Sequence, residues 1–177
     1  MKQLIKEIKS SLENKNYLSA LALTLTLPDI CGKISYPELK GARNTGKRYI
    51  RWYDEYIYPY ELSPVECNPY NEWVPDGFAI YKLRCNLLHD GSLDIDNDVK
   101  KEKGIEDSSD YKFMLTNNFT SYNLSWEDGD KSKEPGVLVR IGVEDFCEKV
   151  CAVVENVYRE NYQDKDIYND IVIFDFN

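Results

Sequence analysis

The sequence predicts a mainly α protein: a bundle of four or five helices with a small appended antiparallel β-sheet. Three observations carry this. Apolar residues recur at spacings of three and four in segments spread from the N-terminus to residue 162. Four of the seven prolines (Pro59, Pro64, Pro69 and Pro75) gather between residues 59 and 76, which makes that stretch a loop between helical segments. Strand-like runs are short and confined to residues 111–141 and 171–176.

Residues 2–14 place Leu4, Ile5, Ile8 and Leu12 on one face with charges between them, predicting an amphipathic first helix. Tyr17 to Leu27 (YLSALALTLTL) is apolar almost all round and reads as a buried central helix, stopped by Pro28 and closed near Gly32. An irregular stretch follows from Lys33 to about Thr45. Lys47 to Tyr58 (KRYIRWYDEYIY) is a third helix, with positions 49, 52, 53, 56 and 57 as its apolar stripe. Asp76 suits an N-cap for a fourth helix that runs through Phe78, Tyr81, Cys85 and Leu88 on one face. His89-Asp90-Gly91 ends it, with Gly91 placed for a left-handed residue. Residues 92–110 are rich in Asp, Lys and Ser, and read as a mobile loop. Asp94 to Asp98 begins like a calcium loop but lacks the required Gly at position 99 and Glu at position 105. Strands are expected at 111–115, 121–126, 137–141 and 171–176, and a strong amphipathic helix from Val143 to about Tyr162. The chain is therefore expected to be a single domain over residues 1–177. Its helical core is 1–91 and 143–162, its flexible acidic excursion 92–110, and its β appendage 111–141 and 171–176.

A chain of 177 residues can bury roughly 70% of its unfolded surface, so a core needs no disulfide or metal. No run of about 18 apolar residues is apparent and the N-terminus lacks a secretory pattern, so the expectation is a soluble cytoplasmic protein with no membrane partner. The single His excludes a two-Cys two-His zinc finger, a catalytic metal on three imidazoles and a two-His carboxylate iron site. No metal site and no cofactor are expected. The five Cys (31, 67, 85, 147 and 151) form no CxxC pair and read as reduced thiols, with Cys147 and Cys151 on an apolar helix face. No glycine-rich phosphate loop, nucleophile elbow or dinucleotide fingerprint is present.

The net charge of −9 is unevenly spread. Residues 1–60 hold ten basic and six acidic groups, a balance of +4, which leaves −13 for the remainder. An acidic chain is a poor non-specific polyanion binder, yet its basic half can present a local field to phosphate. The densest basic stretch contains Lys47, Arg48 and Arg51 beside Tyr49 and Trp52, a combination that suits an RNA backbone with stacked bases. Asp29, at the end of the apolar helix, can orient Arg84 or form a salt bridge elsewhere.

The sharpest local feature is YKLRCNLLHDG, residues 81–91, where four residues separate Arg84 from His89. Here the sequence resembles the HEPN superfamily, small helical-bundle domains of prokaryotic toxins and antiviral systems. Their catalytic members carry an Arg, then four to six residues, then a His, usually with a polar residue directly after the Arg. Cys85 stands in that polar place, and Asn86 follows one step later. The resemblance covers residues 1–91 and the 143–162 helix, and it implies a HEPN-like bundle and a metal-independent endoribonuclease. It further implies a homodimer in which two Arg-His pairs face one cleft, with RNA as substrate and a regulatory protein as a further partner. Arg84, His89 and Asn86 are then the catalytic candidates, and Lys47, Arg48 and Arg51 the RNA-binding ones. The chemistry suits the residue types. RNA cleavage through the 2′-hydroxyl needs proton transfers, for which an imidazole is the natural side chain. It also needs a permanent cation for the developing phosphorane, which a guanidinium supplies with two-point contact. The alternative is a non-catalytic module of the same fold, binding RNA or docking a protein through its acidic second half.

Overall fold

A computed structural model of the chain describes residues 1–64, 71, 73–104, 111–117, 122–127 and 136–161. The expected strand at 171–176 lies outside these residues, as do residues 105–110 of the acidic excursion. The architecture is mainly helical, with a small three-stranded sheet.

Helix α1 (Lys2–Glu13) buries Ile5, Ile8 and Leu12, as its periodicity predicts. The apolar run then splits into two helices, α2 (Tyr17–Thr24) and α3 (Leu27–Ser35). Pro28 does not end a helix here; it sits in the first turn of α3, where its missing N–H leaves no intrahelical bond unmade. Taken together, Tyr17–Ser35 is long and apolar enough to cross a membrane by length and composition alone, contrary to expectation. In this fold its apolar character serves packing on several sides: α2 meets α1 and the final helix, α7 (Val143–Asn161), and α3 meets α4 (Thr45–Tyr56) and α7. Ala20, Leu21, Leu25, Leu27 and Cys31 are buried there.

Two short 3₁₀ turns, Pro37–Leu39 and Ala42–Asn44, lead into α4 (Thr45–Tyr56). This helix is the centre of the fold, with Tyr49, Trp52 and Tyr53 fully buried. Its two neighbours approach its backbone through glycines. A Cβ on Gly32 of α3 would stand 2.8 Å from the Arg48 carbonyl oxygen, and one on Gly77 would stand 2.6 Å from that of Ile50. Any larger residue at either place would force the helices apart.

Helix α5 (Gly77–Cys85) is capped as expected, with the Asp76 carboxylate accepting the Ala79 N–H at 2.9 Å. Its buried face, however, is Gly77, Ala79, Ile80 and Leu83. The expected face of Phe78, Tyr81, Cys85 and Leu88 is only partly covered, and Leu88 is exposed. The reason is the contact with α4, whose backbone at Ile50 comes so close to Gly77 that this side of α5 is turned inward. After Cys85 the helix widens into a π-turn, Asn86–Asp90, and Gly91 closes it in the left-handed conformation (φ 66°).

The expectation of a mobile loop at 92–110 is corrected over its first part. Residues Asp96–Lys103 form α6, pinned by Ile95 and Val99, each 1% exposed. The aspartates that resembled a calcium loop act as local tethers. Asp94 accepts the Asp96 N–H at 3.0 Å, and Asp96 accepts the Phe113 N–H at 2.8 Å, tying α6 to the first strand. Strands β1 (Tyr111–Thr116), β2 (Tyr122–Glu127) and β3 (Gly136–Gly142) follow. The sheet is mixed, not antiparallel: β3 inserts between the other two, parallel to β1 and antiparallel to β2. Val139 and Ile141 give β3 a buried face, and β3 runs directly into α7 (Val143–Asn161). Phe146, Cys147, Val150, Cys151 and Val154 complete the core. Burial pushes the Cys147 thiol up to about 11 and that of Cys151 to about 12, so both stay protonated and act as small apolar side chains.

Candidate functional site

Arg84 and His89 come together. Arg84 Nη1 lies 3.2 Å from His89 Nε2, and the imidazole is exposed. A plain α-helix would not achieve this, because five steps of 100° leave the two side chains about 140° apart. The π-turn at Asn86–Asp90 takes up the difference, since its longer hydrogen-bonded step brings His89 back towards the Arg84 side. Its closure depends on Gly91, whose N–H and that of Ser92 both bond the Asn86 carbonyl.

Asn86 has a different place from the one expected. Its side-chain amide donates to the Asp94 carbonyl at 2.6 Å, so it clamps the turn to the segment entering α6 rather than meeting His89. Cys85, standing where a polar residue was expected, lies one helical turn after Tyr81. Burial first, and the neighbouring Cys85 thiol second, raise the Tyr81 phenol above its ordinary value. The Tyr81 ring in turn packs on Tyr49 with centroids 5.2 Å apart, fastening α5 to α4 beside Arg84.

The three expected RNA-binding cations do not form one surface. Lys47 is exposed. Arg48 is 4% exposed and turned inward, because position 48 lies one helical turn before Trp52 and shares its buried side. Its guanidinium donates to Asp29 Oδ1 at 3.0 and 3.1 Å, to Thr45 Oγ1 at 2.9 Å and to the carbonyls of Leu39 and Gly41. Arg51 stacks on the Tyr36 ring, 4.1 Å from its centroid, and pairs with Glu38 at 2.9 Å. Asp29 is thereby assigned: it pairs with Arg48 and with Lys33 at 3.6 Å, not with Arg84.

Beside the pair, α3, the two 3₁₀ turns, α4 and α5 enclose an open cleft of about 520 Å³. Lys33, Lys40, Arg48 and Arg84 line it, with Asp29 as the sole acidic residue of the lining. The cleft is not legible in the sequence, because its cations are scattered from position 33 to position 84. One signal was legible: an Arg at 48, in register with an apolar stripe, calls for a buried carboxylate. Arg84 belongs to both the cleft and the imidazole contact. Its Nε is buried and has no hydrogen-bond partner among the described residues.

Comparison with protein-family models, with curated proteins and with solved structures gives no significant match.

Proposed function

We propose that the chain is a HEPN-like, metal-independent endoribonuclease of toxin or antiviral-defence type, acting in the cytoplasm as a homodimer. The observation that carries this reading is the Arg84–His89 contact at 3.2 Å on an exposed turn, made with the chain's single imidazole. In the proposed reaction the RNA 2′-hydroxyl attacks its neighbouring phosphorus and the bond to the 5′-oxygen breaks. The products are a 2′,3′-cyclic phosphate and a 5′-hydroxyl. Arg84 stabilises the extra charge on the phosphorane oxygens. One imidazole accepts the 2′-hydroxyl proton and another delivers a proton to the departing 5′-oxygen, so two protomers supply the acid and the base. Asn86 acts at one remove, by holding the turn that carries His89.

The test is cleavage of single-stranded and structured RNAs in the presence of EDTA by the wild type, His89→Ala and Arg84→Ala. Cyclic-phosphate ends that disappear in both variants are the expected result. Cleavage that survives His89→Ala refutes the assignment.

A second reading, a non-catalytic interaction module, is favoured by the engagement of Arg48 and Arg51 with Asp29 and Glu38 and by the −13 balance beyond residue 60. On that reading a folded wild type neither cleaves nor binds RNA and instead docks a partner protein through its acidic half.

A further inference from the structure

The cleft between α3, α4 and α5 is a positive site on an acidic protein. Four cations and one carboxylate line it, and that carboxylate is already paired twice, with Arg48 and with Lys33. Tyr36 also contributes to the wall; burial raises its phenol, so at neutral pH it brings no negative charge. The lining therefore carries a balance of about +3, concentrated in a concave space where field lines focus. Lys33 and Lys40 bring exposed side chains to the cleft, the Lys33 ammonium 3.6 Å from Asp29 Oδ2. Arg84 brings a guanidinium to the wall of the cleft; its Nε is closed to solvent, so it is the terminal nitrogens, one of them 3.2 Å from His89 Nε2, that a ligand would meet. Arg48 holds the framework: its bonds to the Leu39 and Gly41 carbonyls fix the loop that carries Lys40 into the lining of the cleft. Leu39 and Ala42 add apolar surface, and a cleft of about 520 Å³ has the size of a small-molecule site.

We propose that this cleft binds a phosphate monoester carried on a group of about nucleotide size, with Lys33, Lys40 and Arg84 as its ligands. A dianionic phosphate matches the charge balance, and its oxygens can accept from two ammonium groups and a guanidinium at once. The adjoining volume and apolar wall leave room for the rest of the ligand. This goes beyond the cleavage reading and does not depend on it, although Arg84 is common to both. Because Arg84 touches His89, a phosphate in the cleft is felt at the imidazole.

The experiment is a calorimetric titration of the full chain with adenosine 5′-monophosphate and, separately, with adenosine, followed by the proton resonances of the imidazole. With one His in the chain, those signals report on a single known position. The expected result is binding of the monophosphate but not of adenosine, with a shift of the imidazole signals. Affinity should fall roughly tenfold in Lys40→Ala and further in the Lys33→Ala, Lys40→Ala pair. Both lysines are exposed, so these variants are expected to fold. Equal binding of adenosine, no binding of either compound, or binding that leaves the imidazole signals unmoved overturns the proposal. Displacement by a 5′-phosphorylated oligoribonucleotide, but not by its 5′-hydroxyl twin, assigns the phosphate to an RNA end; otherwise its source is a free mononucleotide. No turnover is measured, so an absence of RNA cleavage leaves this result readable.

Discussion

Arg48 and Arg84 line one cleft from neighbouring helices, yet they have opposite situations. At the Asp29 end, Arg48 is buried and its donors meet a carboxylate, a hydroxyl and two carbonyls. At the His89 end, Arg84 is partly exposed, shares a contact with an imidazole and has a buried Nε without a partner among the described residues. A saturated guanidinium has little left to offer a ligand and holds the surrounding loops in place. One with a buried donor left unmade lowers the stability of the fold, while the rest of the group stands at the imidazole and the cleft. The first arrangement builds a framework and the second builds a site.

The largest test of this contrast is Arg48→Ala. It leaves Asp29 mostly buried with only Lys33 for company and releases two loop carbonyls, so stability should fall by about 3 kcal/mol in urea denaturation. Arg48→Lys should recover only part of this, because an ammonium cannot reproduce the fork of donors. A loss below about 1 kcal/mol for Arg48→Ala would erase the distinction between the two ends.

Gly77→Ala comes next. Its new Cβ meets the Ile50 carbonyl, so α5 must move off α4, at about 2 kcal/mol. That shift should also lengthen the Arg84–His89 contact and lower any RNA cleavage. A variant with wild-type melting temperature would show that the two helices are not held at this distance.

Arg84→Met sharpens the comparison from the other side. It removes a buried donor that has no partner, so it should cost less than about 1 kcal/mol, while cleavage falls at least roughly a hundredfold. His89→Ala, at an exposed position, should leave stability within about 0.5 kcal/mol and abolish the same activity.

The smallest effect is that of pH. Burial raises the carboxyls of Asp54, Glu61 and Asp96, opposed in turn by the Gly77 N–H, by Lys149 and by the Phe113 N–H. A carboxyl that holds its proton more tightly in the folded chain contributes stability that is full below its unfolded pKa and lost as pH rises through the folded one. The melting temperature should therefore rise slightly as pH falls from 7 towards about 5, and relief of the net negative charge acts in the same direction. A fall over that range would mean that the Lys149–Glu61 pair, at 2.6 Å, outweighs burial.

What could be read from the sequence was local. The three- and four-residue spacing of Ile5, Ile8 and Leu12, the aromatic stripe of α4, the Asp76 cap, the Gly91 stop and the long final helix all depend on interactions within one turn or one segment. The candidate pair was legible for the same reason, since Arg84 and His89 are near neighbours in the chain. The tertiary structure decided whatever depends on a partner distant in sequence. Pro28 opens a helix rather than ending one because α3 has α4 and α7 to pack against. Ile95 and Val99 make α6 from a polar stretch because the core accepts them, and β3 pairs in parallel with β1 because it inserts between two earlier strands. Arg48 became framework because Asp29, nineteen residues away, meets it on the buried side of α4. Backbone propensity and periodicity are written in neighbouring residues, whereas burial, strand partners and ion pairs are set by which distant segments share the core.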